Sequence, residues 1–174
     1  MSAMSIENIA KKVLLQSRLK NKQSKDRIAN EWKDVTGTDC QFLDLETSVA
    51  LRNHAANFDF MYKSNYNYLT KEFEGIVSDN LPAIITDLEN IDTDKCFLFH
   101  YFWQHTGVIV ASMDAILLDL NRTLFFLEDE LTLVSSDFKK ALIFEGYRTG
   151  SGDLLNYLSV SIAGDWQIIW RDTK

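Results

Sequence analysis

Cys96-Phe97-Leu98-Phe99-His100-Tyr101-Phe102-Trp103 is the stretch at which the chain changes its period. Before Asp92-Thr93-Asp94, apolar residues recur every three or four positions, the spacing of a helix face. After it, they alternate. A strand is therefore expected over Cys96–Trp103, with Phe97, Phe99, Tyr101 and Trp103 on one side. Helices first and strands afterwards is the order of an α+β fold, with N-terminal helices packed on one face of a C-terminal antiparallel sheet. The helical part is expected over about residues 1–92 and the mostly β part over about 93–174, within one domain.

Upstream of that boundary, Ser5 can cap a helix carrying Ile6, Ile9, Ala10, Val13 and Leu14. The apolar stripe lapses over Lys20–Ser24, where Ser24 can cap a second helix with Ile28, Trp32 and Val35, ending at Gly37. One continuous helix is the alternative. Cys40–Glu46 reads as a short strand. Thr47–Tyr62 mixes helical signals (Val49, Leu51, Ala55, Ala56) with an alternating Phe58, Phe60 and Tyr62. A helix is expected from about Ser64 to Ser78, with Tyr66, Leu69, Phe73, Ile76 and Val77 on one face. Another begins at Leu81-Pro82, since proline suits a first helical position.

Downstream, His105-Thr106-Gly107 reads as a turn into a strand over Val108–Ser112. Ala115–Leu120 fits strand or helix. Asn121-Arg122-Thr123 reads as a turn, with strands at Leu124–Leu127 and Leu131–Val134 around the acidic corner Glu128-Asp129-Glu130. Asp137–Glu145 suits a short helix or a strand. Leu158, Val160 and Ile162, then Trp166, Ile168 and Trp170, suggest a hairpin turning at Ala163-Gly164-Asp165.

With 46% hydrophobic and 25% charged residues over 174 positions, the chain has enough apolar content to build a core without staples. Two cysteines, Cys40 and Cys96, make no disulfide framework and no metal-ligand spacing, and read as partly buried apolar residues. No apolar stretch approaches the roughly 20 residues of a membrane span, and the first residues lack a secretory h-region. A cytoplasmic protein without membrane contact is the expectation.

Charge is segregated. Residues 1–36 hold eight bases and four acids, and the remainder holds ten bases and 21 acids. Between Glu72 and Asp137, 13 acids stand against Lys95 and Arg122, a net of 2 − 13 = −11. A field of one sign repels nucleic-acid phosphate and speeds encounter with a basic surface. Asp119, Glu128, Asp129, Glu130 and Asp137 are accordingly the candidate partner-binding residues.

Motifs for chemistry are sparse. His100 and His105 flank Trp103 without a third ligand or a base partner at defined spacing. Arg148-Thr149-Gly150-Ser151-Gly152-Asp153 is glycine-rich but lacks the lysine of a phosphate loop, and Asp153 has the wrong charge for an anion. No catalytic residue, metal or cofactor is expected, and the chain reads as a non-enzyme.

In its acidic run and lack of motifs the chain resembles the immunity proteins of bacterial toxin systems. That resemblance implies a small cytoplasmic protein that blocks a basic, nuclease-type toxin through its acidic surface. The alternative rests on the N-terminal helices and the final Trp166-Gln167-Ile168-Ile169-Trp170, which resemble the nuclear-transport-factor-2-like cone folds. That likeness implies a small-molecule site or an enzyme in a concave aromatic pocket, with His100 or His105 as base.

Overall fold

From Ile6 to Thr36 the chain has no glycine or proline and carries six lysines and three leucines, both good helix formers. A single helix, α1 (Ile6–Thr36), follows, ending where Gly37 turns left-handed (φ +69°) and returns its N–H to the Lys33 carbonyl. The lapse at Lys20–Ser24 does not break it. The computed structural model, which describes residues 6–56, 69–74, 77, 81–88, 95–148 and 155–164, shows why. Only the second half of α1 meets the body, where Ile28 and Trp32 are buried. The first half stands in solvent with Ile9, Val13, Leu14, Leu15 and Leu19 all exposed, so its apolar residues answer to no core.

The remaining elements are β1 (Gln41–Phe42), α2 (Leu45–Ala56), β2 (Leu69–Glu74), α3 (Leu81–Leu88), β3 (Cys96–His100), α4 (Trp103–Thr106), β4 (Ile109–Ala111), α5 (Met113–Leu117), α6 (Leu120–Phe126), β5 (Glu130–Ser135), β6 (Lys140–Arg148) and β7 (Leu155–Gly164). The fold is α+β. Among the described residues seven strands form one sheet in the order β1-β4-β3-β5-β6-β7-β2, every neighbouring pair antiparallel.

Strand alternation gives the sheet two faces. Leu98, Leu131, Leu133, Leu142, Phe144, Val160 and Leu158 form the larger core with Ile28 and Trp32 of α1, Ile84 and Leu88 of α3, and Leu124 of α6. Phe99, Val134, Ala141 and Ala163 lie on the opposite face, where Leu51 of α2 and Trp103 cover a smaller cluster. Ser48 joins α2 to this region. Its buried hydroxyl donates to the Asp44 carbonyl at 2.7 Å and accepts the Val108 N–H at 2.9 Å, so both of its roles are satisfied. Gly107 (φ +99°) must be glycine, because a Cβ there would run into the Leu43 carbonyl oxygen.

Several local expectations are corrected. The helix expected over residues 64–78 is a strand over Leu69–Glu74: β2 pairs with β7 along its whole length, and only Phe73 of Glu72, Phe73 and Glu74 is buried. Leu69 and Phe73 share a face at either period, so a partner strand decided the matter. β3 stops at His100, and Trp103 opens the one-turn helix α4. Residues 120–126, expected as turn and strand, form α6, with the Asp119 carboxylate capping the Arg122 N–H at 3.0 Å. In the ambiguous Ala115–Leu120 piece, the first three residues belong to the short α5, capped by Ser112, and Leu120 opens α6, while the Asp137–Glu145 region enters β6 at Lys140. β1 is only two residues long, because Asp44 caps α2 directly after it. Ala163 and Gly164 pair with β6 rather than forming a turn. Of the glycine-rich Arg148–Asp153 run, Arg148 ends β6 and the rest lies outside the described residues, as do the alternating Phe58, Phe60 and Tyr62 and the tryptophans at 166 and 170.

Candidate acidic docking face and its cleft

Three consecutive acids, Glu128-Asp129-Glu130, meet three different fates. The turn from α6 to β5 takes Glu128 (φ +63°) and Asp129 (φ +57°) through the left-handed region, which costs each of them about 1–2 kcal/mol. Arginines from elsewhere hold both. Arg27 of α1 bonds the Glu128 carboxylate at 2.9 Å, while its guanidinium lies 5.6 Å from the centre of the Phe102 ring. Arg148 of β6 bonds Asp129 at 2.7 and 2.9 Å and lies 5.0 Å from the Phe125 ring. With side chains 9% and 14% exposed, the Arg148–Asp129 pair is nearly buried, and the Asp129 carbonyl also accepts the Gly146 N–H. Gly146 is needed here, since a Cβ would come within 3.0 Å of the Asp129 Cβ and 2.9 Å of Leu155.

Two other candidates are also drawn into local structure. Asp119 caps α6. Asp137 accepts from the Ser135 hydroxyl at 2.7 Å and the Lys139 N–H at 3.1 Å in the β5–β6 turn. Those bonds, the hydroxyl's first, hold its carboxyl below the usual range. The segregation of charge along the sequence also relaxes in space, because Arg122 of the acid run bonds Glu31 and Asp34 of α1.

Glu130 is different. It is exposed and begins β5 on the smaller face of the sheet. Register places it directly opposite Glu145 of β6, Glu145 opposite Ser159 of β7, and Ser159 opposite Glu72 of β2. In the neighbouring row Tyr147, Tyr157 and Glu74 align in the same way. Adjacent strands are about 4.8 Å apart, so four glutamates and two tyrosines share a patch only a few strands wide. No lysine or arginine takes a strand position on this face among the described residues. Glu130 facing Glu145 is a like-charge pair that disfavours the free sheet. The Tyr157 phenol is held above its ordinary range, by burial first and then by its hydrogen bond to Glu72.

At its Glu130 end, this face runs into a cleft of about 450 Å³ lined by Phe99, Tyr101, Phe102, Trp103, His105, Glu130 and Thr132, among others. Trp103 meets Phe99 edge-on at 5.6 Å and Tyr101 meets Phe102 edge-on at 5.0 Å, while Tyr101 is 62% exposed. His100 also borders the cleft, but both of its ring nitrogens are engaged. Nδ1 accepts the Phe102 N–H at 3.3 Å, which leaves the proton on Nε2, 3.3 Å from the Gly107 carbonyl and 3.2 Å from the Thr106 hydroxyl. Burial pushes its pKa down to about 4, so it stays neutral at pH 7 and holds the β3–α4 turn together. His54 lies away from it, edge-on to Phe138, and His105 is exposed.

Burial pushes the Cys40 thiol up to about 12, and Cys96 is buried. Among the described residues no group of three His, Cys, Asp or Glu side chains is placed to hold a metal ion, and no helix is long and apolar enough to cross a membrane. Of the residues singled out in the sequence, Glu130 alone stands on the acidic face. Glu72, Glu74, Glu145, Tyr147 and Tyr157 were not singled out, and strand parity around a correctly placed β2 would have found them. Comparison of the chain with protein-family models, with curated proteins and with solved structures gave no significant match.

Proposed function

We propose that this protein is a non-catalytic binding protein whose acidic sheet face docks on a basic protein partner, in the manner of an immunity protein neutralising a basic toxin domain. The observation that supports this most is the row Glu130, Glu145, Glu72, with Glu74 beside it, on a face bearing no strand cation among the described residues. Desolvated against basic side chains, such a row relieves its own repulsion, and Tyr147 (61% exposed) with Tyr157 supplies aromatic anchors of the kind that dominate binding energy.

The test compares wild type with Glu72→Lys/Glu145→Lys as bait, using the products of the genes flanking its own as prey. The expected result is a 1:1 complex with a basic protein, an association rate that falls more than tenfold between about 50 and 500 mM salt, and loss of the complex with the charge-reversed bait. An association rate indifferent to salt, or equal binding by the reversed bait, overturns the reading.

A further inference from the structure

The acidic corner contains its own precedent for what its third member binds. Glu128 and Asp129 each hold an arginine of this chain, and in both cases the same guanidinium lies over an aromatic ring: Arg27 over Phe102, and Arg148 over Phe125. Guanidinium suits this arrangement because it is planar, stacks on ring faces and presents a fork of N–H donors to a carboxylate. Glu130 follows directly in sequence and lines a cleft with Tyr101, Phe102 and Trp103, with no arginine of this chain bonded to it among the described residues. The cleft, at about 450 Å³, lies within the size range of small-ligand sites.

We propose that this cleft receives an arginine side chain from outside the chain, with Glu130 taking the guanidinium fork and Tyr101 and Trp103 supplying the ring faces. Thr132 adds a hydroxyl to the lining. His100 beside it remains neutral at pH 7, so it adds no opposing charge. That the arginine belongs to a protein partner rests on the docking reading above. The cleft chemistry itself does not.

The probe is N-acetyl-arginine methylamide, followed by NMR at the Trp103 indole N–H of the full chain, with the neutral citrulline isostere as comparison. The indole resonance is assigned by its loss in Trp103→Phe. The arginine probe is expected to shift it saturably with a Kd in the millimolar range, and the citrulline analogue to bind at least tenfold more weakly. Glu130→Gln and Tyr101→Ala are each expected to weaken the arginine probe at least tenfold, whereas Glu74→Gln leaves it within twofold. Both altered residues are exposed, so an unchanged melting temperature confirms folding. Equal binding of the citrulline analogue, no saturable shift, or indifference to Glu130→Gln overturns the proposal. The two readings separate cleanly. A basic protein that binds wild type and Glu130→Gln equally, with no saturable shift from the arginine probe, sinks the cleft and leaves the acidic face. Arginine probe binding without any basic protein partner does the reverse.

Discussion

His100 shows how a residue that invites a catalytic reading in one dimension becomes a structural one in three. Its neutral form is bonded at both nitrogens and buried, so the charged form is penalised, and its folded pKa of about 4 lies below the ordinary 6.5. The unfolded chain therefore binds the proton more tightly, and stability is lost as pH falls from 6.5 toward 4. The drop is on the order of 3 kcal/mol. Urea melts of wild type and His100→Gln between pH 7 and 4 should show a shallower acid decline for the variant. Parallel declines would mean that His100 does not contribute to it. The nearly buried Asp129–Arg148 pair makes a second residue-level prediction. Arg148→Met should cost about 3–5 kcal/mol by leaving Asp129 uncompensated, and Asp129→Asn/Arg148→Met should cost less than the single change in chemical denaturation. In sequence the three acids at 128–130 are indistinguishable. Their roles diverge because Arg27 and Arg148, 101 and 19 residues away, arrive at the first two.

Among the elements, α1 illustrates how the same apolar pattern can mean burial in one half and exposure in the other. At 31 residues it is about 46 Å long. Leu15, beside the apolar stripe of the first half, and Ile28, in that of the second, are both large apolar residues, yet Leu15 is 64% exposed and Ile28 is fully buried. Leu15→Lys should therefore change stability by less than about 0.5 kcal/mol, and Ile28→Ala should cost about 2–5 kcal/mol, as read by urea melts. Comparable costs for the two would contradict this placement of α1. The elements legible in advance, among them α3, β3, β4 and β5, are those whose period admits one interpretation and whose capping or turn residues agree with it. β2 and α6 were misread for opposite reasons. Leu69 and Phe73 satisfy both periods, and Asp119 caps a helix whose residues also suit a strand.

At the scale of the whole molecule, the contrast between a basic N-terminal region and an acidic remainder survives only in part. Glu128 and Arg122 spend their charge on α1, while Glu72, Glu74, Glu130 and Glu145 are gathered on the sheet's smaller face. Single charge removals there should be nearly neutral for stability. Glu130→Gln, at an exposed position, should change stability by less than about 0.5 kcal/mol; thermal melts would check this, and a clear loss would mean that Glu130 holds the sheet end together.

The amino-acid sequence by itself determined the α+β class, the long first helix as one of two options, the separation of charge and the poverty of catalytic motifs. Those depend on local periodicity and composition, which need no partner to be read. Only the tertiary structure decided which acids face outward together. That depends on strand register, where a shift of one residue moves every side chain to the other face, and on which distant arginines reach the corner. The register of β2 against β7 and of β5 against β6 turns four glutamates, spread over 74 residues of chain from Glu72 to Glu145, into one surface.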